Sequence, residues 1–195
     1  VQGAAAPSTE QTPENMSNRY YYHWLLDTDN NPATGRSNAE YENNPTGVQN
    51  PVGADLVVMI GWRDGKSNGV EVYDPADEDT ALVSDFTFRA SGNTLTAVIP
   101  LADLGLTSGQ TIALSAFQEG ASDDWAVDWL ESDTLTIGGV PTSSALVADP
   151  EDMADSSGDI RAIQAEVLGD YLHLSMSVQG AAAPSTEQTP ENMSN

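Results

Sequence analysis

A polar loop near the start of the chain carries oxygen-bearing side chains at every second residue. Asp27, Asp29 and Asn31 lie in the segment DTDNNPATG. Hard cations such as Ca²⁺ take about six to eight oxygen ligands, and alternate side chains of a tight loop can point inward together. An EF-hand loop has glycine at its sixth position and glutamate at its twelfth, where this chain has Pro32 and Asn38. The loop therefore predicts a calcium site of another kind.

The segments that must position this loop have the patterns of strands. Arg19–Leu26 alternates two sets of aromatic and apolar residues, as a strand covered on both faces requires. Ala54–Trp62 is a nearly continuous apolar run of strand length, and Asp55 lies at its entrance. If these two strands pair, Asp55 can reach the Asp27 loop. His23 is interpreted as a strand residue rather than a ligand, because no second histidine lies at metal-binding spacing.

Short strands separated by turn signals continue through the rest of the chain. One hairpin is expected about Ser91-Gly92-Asn93, and another joins Ile160–Val167 to Tyr171–Val178. We count roughly ten strands and expect no helix longer than one or two turns. The pattern predicts an all-β chain, folded as an antiparallel β-sandwich of jelly-roll or immunoglobulin-like type.

The composition is strongly acidic. Lys and Arg total 6 against 30 Asp and Glu, which gives a formal net charge of −24. Nucleic acids and anionic membranes bind basic patches, so neither is an expected partner. Divalent cations are attracted to such a surface, and high salt would screen its self-repulsion.

Other broad classes are limited by what the sequence lacks. It has no cysteine, which excludes disulfides, thiolate metal sites and a cysteine nucleophile. No apolar run reaches the roughly 20 residues of a membrane-spanning helix. No signal peptide is recognisable, so we expect either a cytosolic chain or a mature or excised piece.

Several aromatic side chains are candidates for stacking against sugar rings: Trp62, Trp125, Trp129, Tyr41 and Tyr73. Ordinary packing is the favoured alternative for them, because large aromatic side chains contribute much of the core of a sandwich.

The most specific feature is an exact terminal duplication. The first 18 residues, VQGAAAPSTEQTPENMSN, recur without a mismatch at Val178–Asn195, with a period of 178 − 1 = 177 residues. From Ala4 onward the segment has the composition of a linker. The chain is then one period plus an overlap from a tandem array, or a polymer subunit with equivalent ends, or an engineered permutation or artefactual duplication. The first two explanations are favoured equally.

Four motifs together resemble the extracellular β-sandwich modules of carbohydrate-binding family 9 and of the DOMON type. They are DPEDMADSSGDI at 149–160, DTDNNPATG at 27–35, a GAD-plus-apolar strand at 53–60 and IPLADLG at 99–105. The resemblance implies an extracellular or cell-surface location, and glycan binding in some members. It also implies calcium at two acidic loops, with Asp27, Asp29, Asn31 and Asp55 in the first and Asp149, Asp152 and Asp159 in the second.

The order of these motifs predicts the organisation of the chain. The opening segment and its hairpin come first in those modules, and here they come last. We therefore expect a linker at residues 1–18, the main part of the sandwich at 19–148, an acidic loop and hairpin that complete it at 149–178, and a duplicated linker or donated tail at 179–195. The hairpin Ile160–Val178 is expected to pair with the sheet that contains Arg19–Leu26, in its own chain or in a neighbour, because an unpaired strand edge would promote aggregation.

These features favour a calcium-stabilised building block of an extracellular filament, tube or tandem-repeat adhesin. Its partners would be copies of itself, joined by strand or hairpin complementation. The alternative is a glycan-binding domain of a secreted protein. Neither a Walker loop, a dinucleotide-binding glycine motif nor a serine-hydrolase motif occurs in the sequence, and we do not predict an enzyme.

Overall fold

The computed structural model describes residues 19–37, 52–63, 66–120, 127–138, 145–151, 158–180 and 182. Within these residues the chain forms twelve strands and no helix, which confirms the all-β prediction. No described helix is long and apolar enough to cross a membrane. The strands are β1 (Arg19–Asp27), β2 (Leu56–Arg63), β3 (Lys66–Asp74), β4 (Asp77–Val83), β5 (Thr87–Ser91), β6 (Thr94–Pro100), β7 (Thr111–Gly120), β8 (Val127–Trp129), β9 (Asp133–Thr136), β10 (Ala145–Ala148), β11 (Ile160–Leu168) and β12 (Tyr171–Val178).

The strands form two antiparallel sheets, as expected for a β-sandwich. The seven-stranded sheet has the order β4-β3-β2-β1-β7-β8, with β9 also paired to β7. The five-stranded sheet has the order β10-β11-β12-β6-β5. The chain passes from one sheet to the other between β4 and β5.

The main core lies between the two sheets, and β1 crosses its centre. Tyr20, Tyr22, Trp24 and Leu26 on one face of β1 are buried in this core. Leu25 on the other face belongs to a smaller apolar cluster on the outer side of the seven-stranded sheet. β1 is therefore covered on both faces, because its neighbours β2 and β7 also place apolar side chains on both sides.

The position of the C-terminal hairpin corrects one expectation. β12 pairs with β6 and β11 pairs with β10, so the hairpin belongs to the five-stranded sheet and not to the sheet of β1. It faces β1 across the core, where Trp24 Nε1 donates a hydrogen bond to the carbonyl of Ser175 at 3.4 Å. The physical reason is that β6 provides a full antiparallel partner for β12 within the same chain, with Leu174 opposite Ala97.

Candidate metal centres

Two neighbouring strand ends assemble the first acidic cluster. β1 ends at Asp27, and Leu26 lies opposite Leu56 at the start of β2. The main-chain N–H of Asp55 donates to the carbonyl of Leu26 at 2.9 Å. The two strands pair, which was the condition for Asp55 to reach the loop that follows Asp27.

Two glycines allow the loop after β1 to lie directly on the segment before β2. A Cβ atom on Gly53 would lie 1.9 Å from the carbonyl oxygen of Thr34, and one on Gly35 would lie 2.5 Å from that of Ala54. Gly35 also has a positive φ of 67°, a conformation that costs L side chains free energy. Arg36 and Ala54 exchange two main-chain hydrogen bonds of 2.9 and 2.8 Å across this contact.

The first cluster consists of Asp27, Asp29 and Asp55, whose carboxylate oxygens lie within 4.8 Å of one another. Asp27 accepts hydrogen bonds from the main-chain N–H groups of Asn31, at 2.9 Å, and Gly53, at 3.2 Å. These bonds fix the Asp27 carboxylate from both the loop and the neighbouring segment.

The other two carboxylates are held by threonines of the same region. Asp55 accepts from the main-chain N–H and the hydroxyl of Thr28, at 2.8 and 2.7 Å. Both oxygens of Asp29 lie near the Thr34 hydroxyl, at 3.1 and 3.0 Å. A cavity of about 680 Å³ lined by Asp55 and Gly35 gives solvent access to this edge of the cluster.

Asn31 lies in the loop but its side chain has a local role. Its Oδ1 accepts from the main-chain N–H of Ala33 at 3.2 Å, which closes a small turn. Its own main-chain N–H holds Asp27. The structure therefore brings three of the four residues predicted for the first site together as carboxylates, and gives Asn31 a supporting contact.

The negative charge of Asp27 in the first cluster is unfavourable without a nearby cation. The pKa of Asp27 is raised above its usual value, chiefly because the residue is only 1% exposed. Main-chain hydrogen bonds from Asn31 and Gly53 lower this pKa, and the neighbouring carboxyl of Asp29 raises it. Asp27 therefore favours a bound proton or a nearby cation over an unaccompanied negative charge.

A second acidic cluster joins the two sheets at their edge. It consists of Asp128 on β8, Asp149 just after β10 and Asp159 just before β11, with carboxylate oxygens within 4.8 Å of one another. Asp128 and Asp159 are fully buried. The main-chain N–H of Ile160 donates to Asp128 Oδ2, so a strand of each sheet meets at this point.

The sequence analysis identified part of the second cluster. Asp149 and Asp159 were predicted and are brought together, whereas the predicted Asp152 lies outside the described residues. Asp128 was not predicted as a ligand. The signal that could have found it is its position in AVDWL, where a single charged residue stands among apolar ones in a strand and must be buried with them.

The aromatic candidates for sugar stacking are corrected where the structure describes them. Trp62 and Trp129 are fully buried and Tyr73 is 7% exposed, so these rings pack in the sandwich and present no free face to a sugar. Trp129 stacks on Phe117 with ring centroids 4.4 Å apart, and Phe117 stacks on His23 at 4.0 Å. Tyr41 and Trp125 lie outside the described residues.

Comparisons with protein-family models, with curated proteins and with solved structures gave no match for this chain. The resemblance to carbohydrate-binding family 9 and DOMON-type modules stays a prediction that depends on its four motifs.

Proposed function

We propose that this chain is a calcium-stabilised structural unit of an extracellular filament, tube or repetitive adhesin, assembled from copies of itself. The observation that carries the proposal is the convergence of two separate sets of three carboxylates, each within 4.8 Å, in a chain whose formal net charge is −24. Oxygen-only donor sets of this kind suit a hard divalent cation.

Electrostatics explains what a cation would contribute to the fold. Two unit charges 4.8 Å apart repel by roughly 1 kcal/mol in water and by about 3 kcal/mol at an effective dielectric constant of 20. Asp27, Asp128 and Asp159 are buried, so they lie toward the second of these limits. A bound divalent cation replaces this repulsion by attraction, and it stabilises the folded state by RT ln(1 + [L]/Kd), where [L] is the free cation concentration.

The positions of the clusters favour a structural role for the ions. The first cluster joins the loop after β1 to the segment before β2, and the second joins the seven-stranded sheet to the five-stranded sheet. Each would lock parts of the chain that are distant in sequence. Stabilisation of this kind is useful in a chain that lacks disulfides.

The terminal duplication supports assembly from copies of the same chain. The sequence of Val1–Asn18 recurs at Val178–Asn195, as expected where one 177-residue unit meets the next. In a tandem array or a filament the repeated segment provides the same contacts at each junction between units.

The proposal is tested by thermal unfolding and light scattering of the full chain in Ca²⁺ and in EGTA. Ionic strength is matched with NaCl, because screening of the net charge by any salt would also stabilise this fold without specific binding. Mg²⁺ at equal concentration provides the second control, since it prefers a tighter octahedral site. We expect Ca²⁺ to raise the melting temperature and to promote assembly beyond both controls. Equal melting temperatures and equal particle sizes in Ca²⁺ and EGTA would refute it.

A further inference from the structure

The duplicated segment begins inside the fold at the end of β12. Val178, Gly180 and Ala182 are buried, whereas Gln179 between the first two is exposed. β12 ends at Val178, and the chain then bends while Gly180 and Ala182 stay buried against the fold. Val178 and Ala182 belong to the main core.

The segment is held at the turn of the β5–β6 hairpin. The main-chain N–H of Val178 donates to the carbonyl of Asn93 at 2.9 Å, and Asn93 Nδ2 donates back to the carbonyl of Val178 at 3.2 Å. The N–H of Ala182 donates to the carbonyl of Gly92 at 3.1 Å. The segment makes these bonds through its main chain, and Val178 and Ala182 are buried, so the contact depends on the segment and not on the chain that supplies it.

A third contact comes from the acidic loop. The main-chain N–H of Gln179 donates to the carbonyl of Asp159 at 2.8 Å. Gly92, Asn93 and Asp159 together form a surface that we call the terminus-binding site. In this structure it is occupied by the chain's own residues 178–180 and 182.

The N-terminal copy provides a second occupant of identical chemistry. Residues Val1–Ala5 read VQGAA, as do residues 178–182. Every contact that the C-terminal copy makes, through its main chain or its side chains, is therefore open to the N-terminal copy.

We propose that the terminus-binding site accepts Val1–Ala5 of a second copy of this chain, in exchange for the chain's own Val178–Ala182. This inference rests on the proposed assembly and names the contact that joins neighbouring units. Since the two occupants are equal in sequence, only their covalent connection decides between them. The attached C-terminal copy has an effective concentration in the millimolar range, so exchange requires the high local concentration of an array or filament.

The test weakens one copy at a time in the full chain with calcium present. Ala182→Glu places a charge in the core and disables the C-terminal copy, and Ala5→Glu is the matched change in the N-terminal copy. We expect Ala182→Glu to form dimers and larger species that increase with protein concentration in sedimentation experiments. The double variant Ala5→Glu/Ala182→Glu should stay monomeric. An acetylated peptide of residues 1–10 should bind Ala182→Glu, and its Ala5→Glu version should bind about tenfold more weakly or worse.

A measurement on the unaltered termini covers the case in which Ala182→Glu does not fold. The chain has no cysteine, so Asp103→Cys gives one labelling position on an exposed turn. Energy transfer between two labelled populations at high concentration should appear, and excess residue 1–10 peptide should abolish it. Absence of transfer, or an Ala182→Glu monomer that ignores the peptide, overturns the proposal. Calcium-dependent assembly that persists in the double variant refutes this contact but does not contradict the proposed calcium-stabilised unit.

Discussion

Asp27 and Asp29 belong to one cluster, but their carboxylates are held in different ways. Asp27 accepts two main-chain N–H groups in a buried position, so replacing it would leave a buried donor unsatisfied. Asp29 is exposed and lies against the Thr34 hydroxyl, which can rotate to another acceptor. Asp29 is therefore the residue whose charge can be removed with the least structural damage.

Asp29→Asn is expected to weaken calcium binding about tenfold or more while the melting temperature in EGTA stays constant or rises slightly. The reason is that the variant loses one negative ligand and one source of repulsion together. Calorimetric titration and thermal unfolding measure the two effects. The exposed Asp103→Asn, outside both clusters, provides the control for loss of one charge. Equal calcium affinity in Asp29→Asn and Asp103→Asn would contradict the assignment of this residue.

Burial of His23 makes the free energy of unfolding depend on pH, independently of the two metal clusters. It is 3% exposed and stacks on Phe117, and burial lowers its pKa from 6.5 to about 3. The folded state therefore holds this side chain neutral while the unfolded state takes up a proton. Its stabilising contribution is complete above pH 6.5 and is lost as the pH falls toward 3, by up to about 1.4 kcal/mol per pH unit.

His23→Phe should remove this part of the acid sensitivity, because phenylalanine keeps the aromatic contact and cannot be protonated. Urea unfolding of both proteins at pH 7 and pH 5 isolates the effect, since the titration of the many carboxyl groups is common to them. The loss between the two pH values should be smaller in the variant by roughly 2 kcal/mol. Parallel losses in the two proteins would show that His23 has no such effect.

At the scale of elements, the close approach of the loop after β1 to the segment before β2 creates the first cluster. Gly35→Ala and Gly169→Ala provide a matched pair, because both glycines have similar positive φ values of 67° and 62°. An added Cβ would meet the Ala54 carbonyl oxygen at 2.5 Å in the first and nothing within 4 Å in the second. The difference between the variants therefore measures the contact rather than backbone strain.

Gly169→Ala should lower the unfolding free energy by about 1 kcal/mol and leave the calcium effect unchanged. Gly35→Ala should cost more and reduce the calcium-induced rise in melting temperature, since the loop must move away from Asp55. Chemical unfolding with and without Ca²⁺ compares them. If both variants kept the full calcium effect, the loop contact would have no part in cation binding.

The elements also show how far local patterns predict this fold. Alternation in β1 and the apolar run of β2 predicted both strands, because their residues are buried and the patterns are clear. The pairing that brings Asp55 to Asp27 was only a condition in the sequence analysis, and the structure shows it. β12 likewise has the predicted alternation, with Leu172, Leu174 and Met176 buried. Strand pairing between distant segments was harder. Nothing local distinguishes β6 from β1 as the partner of β12, since both offer buried alternate side chains.

The same limit explains the parts of the candidate site that were missed. Asp128 comes close to Asp149 and Asp159 only because β8, at the edge of one sheet, lies near β10 and the start of β11 in the other. β4 was not predicted as starting at Asp77, because acidic residues are uncommon in strands. At an edge of a sheet a charged strand is tolerated, and it also discourages unwanted pairing.

At the scale of the whole molecule, Asp159 connects the second cluster to the end of the chain. Its carboxylate contributes to the cluster, and its main-chain carbonyl holds Gln179. An ion that fixes Asp159 would also fix the segment in the terminus-binding site. Calcium would then slow the release of whichever terminal segment occupies the site, so that contacts already formed between copies last longer while calcium is bound.

Hydrogen exchange of the Gln179 and Ala182 amides tests this coupling, because both amides donate to carbonyls of the terminus-binding site. We expect exchange about fivefold slower or more in Ca²⁺ than in EGTA, since opening of the segment must then disturb a liganded Asp159. Asp128→Asn should abolish the difference, because it removes a charge from the cluster and keeps an oxygen that can accept from Ile160. Asp29→Asn alters the first cluster alone and should preserve it. If the Gln179 and Ala182 amides exchanged equally fast in Ca²⁺ and in EGTA while calcium protected the middle of β12, calcium would not stabilise the terminal segment.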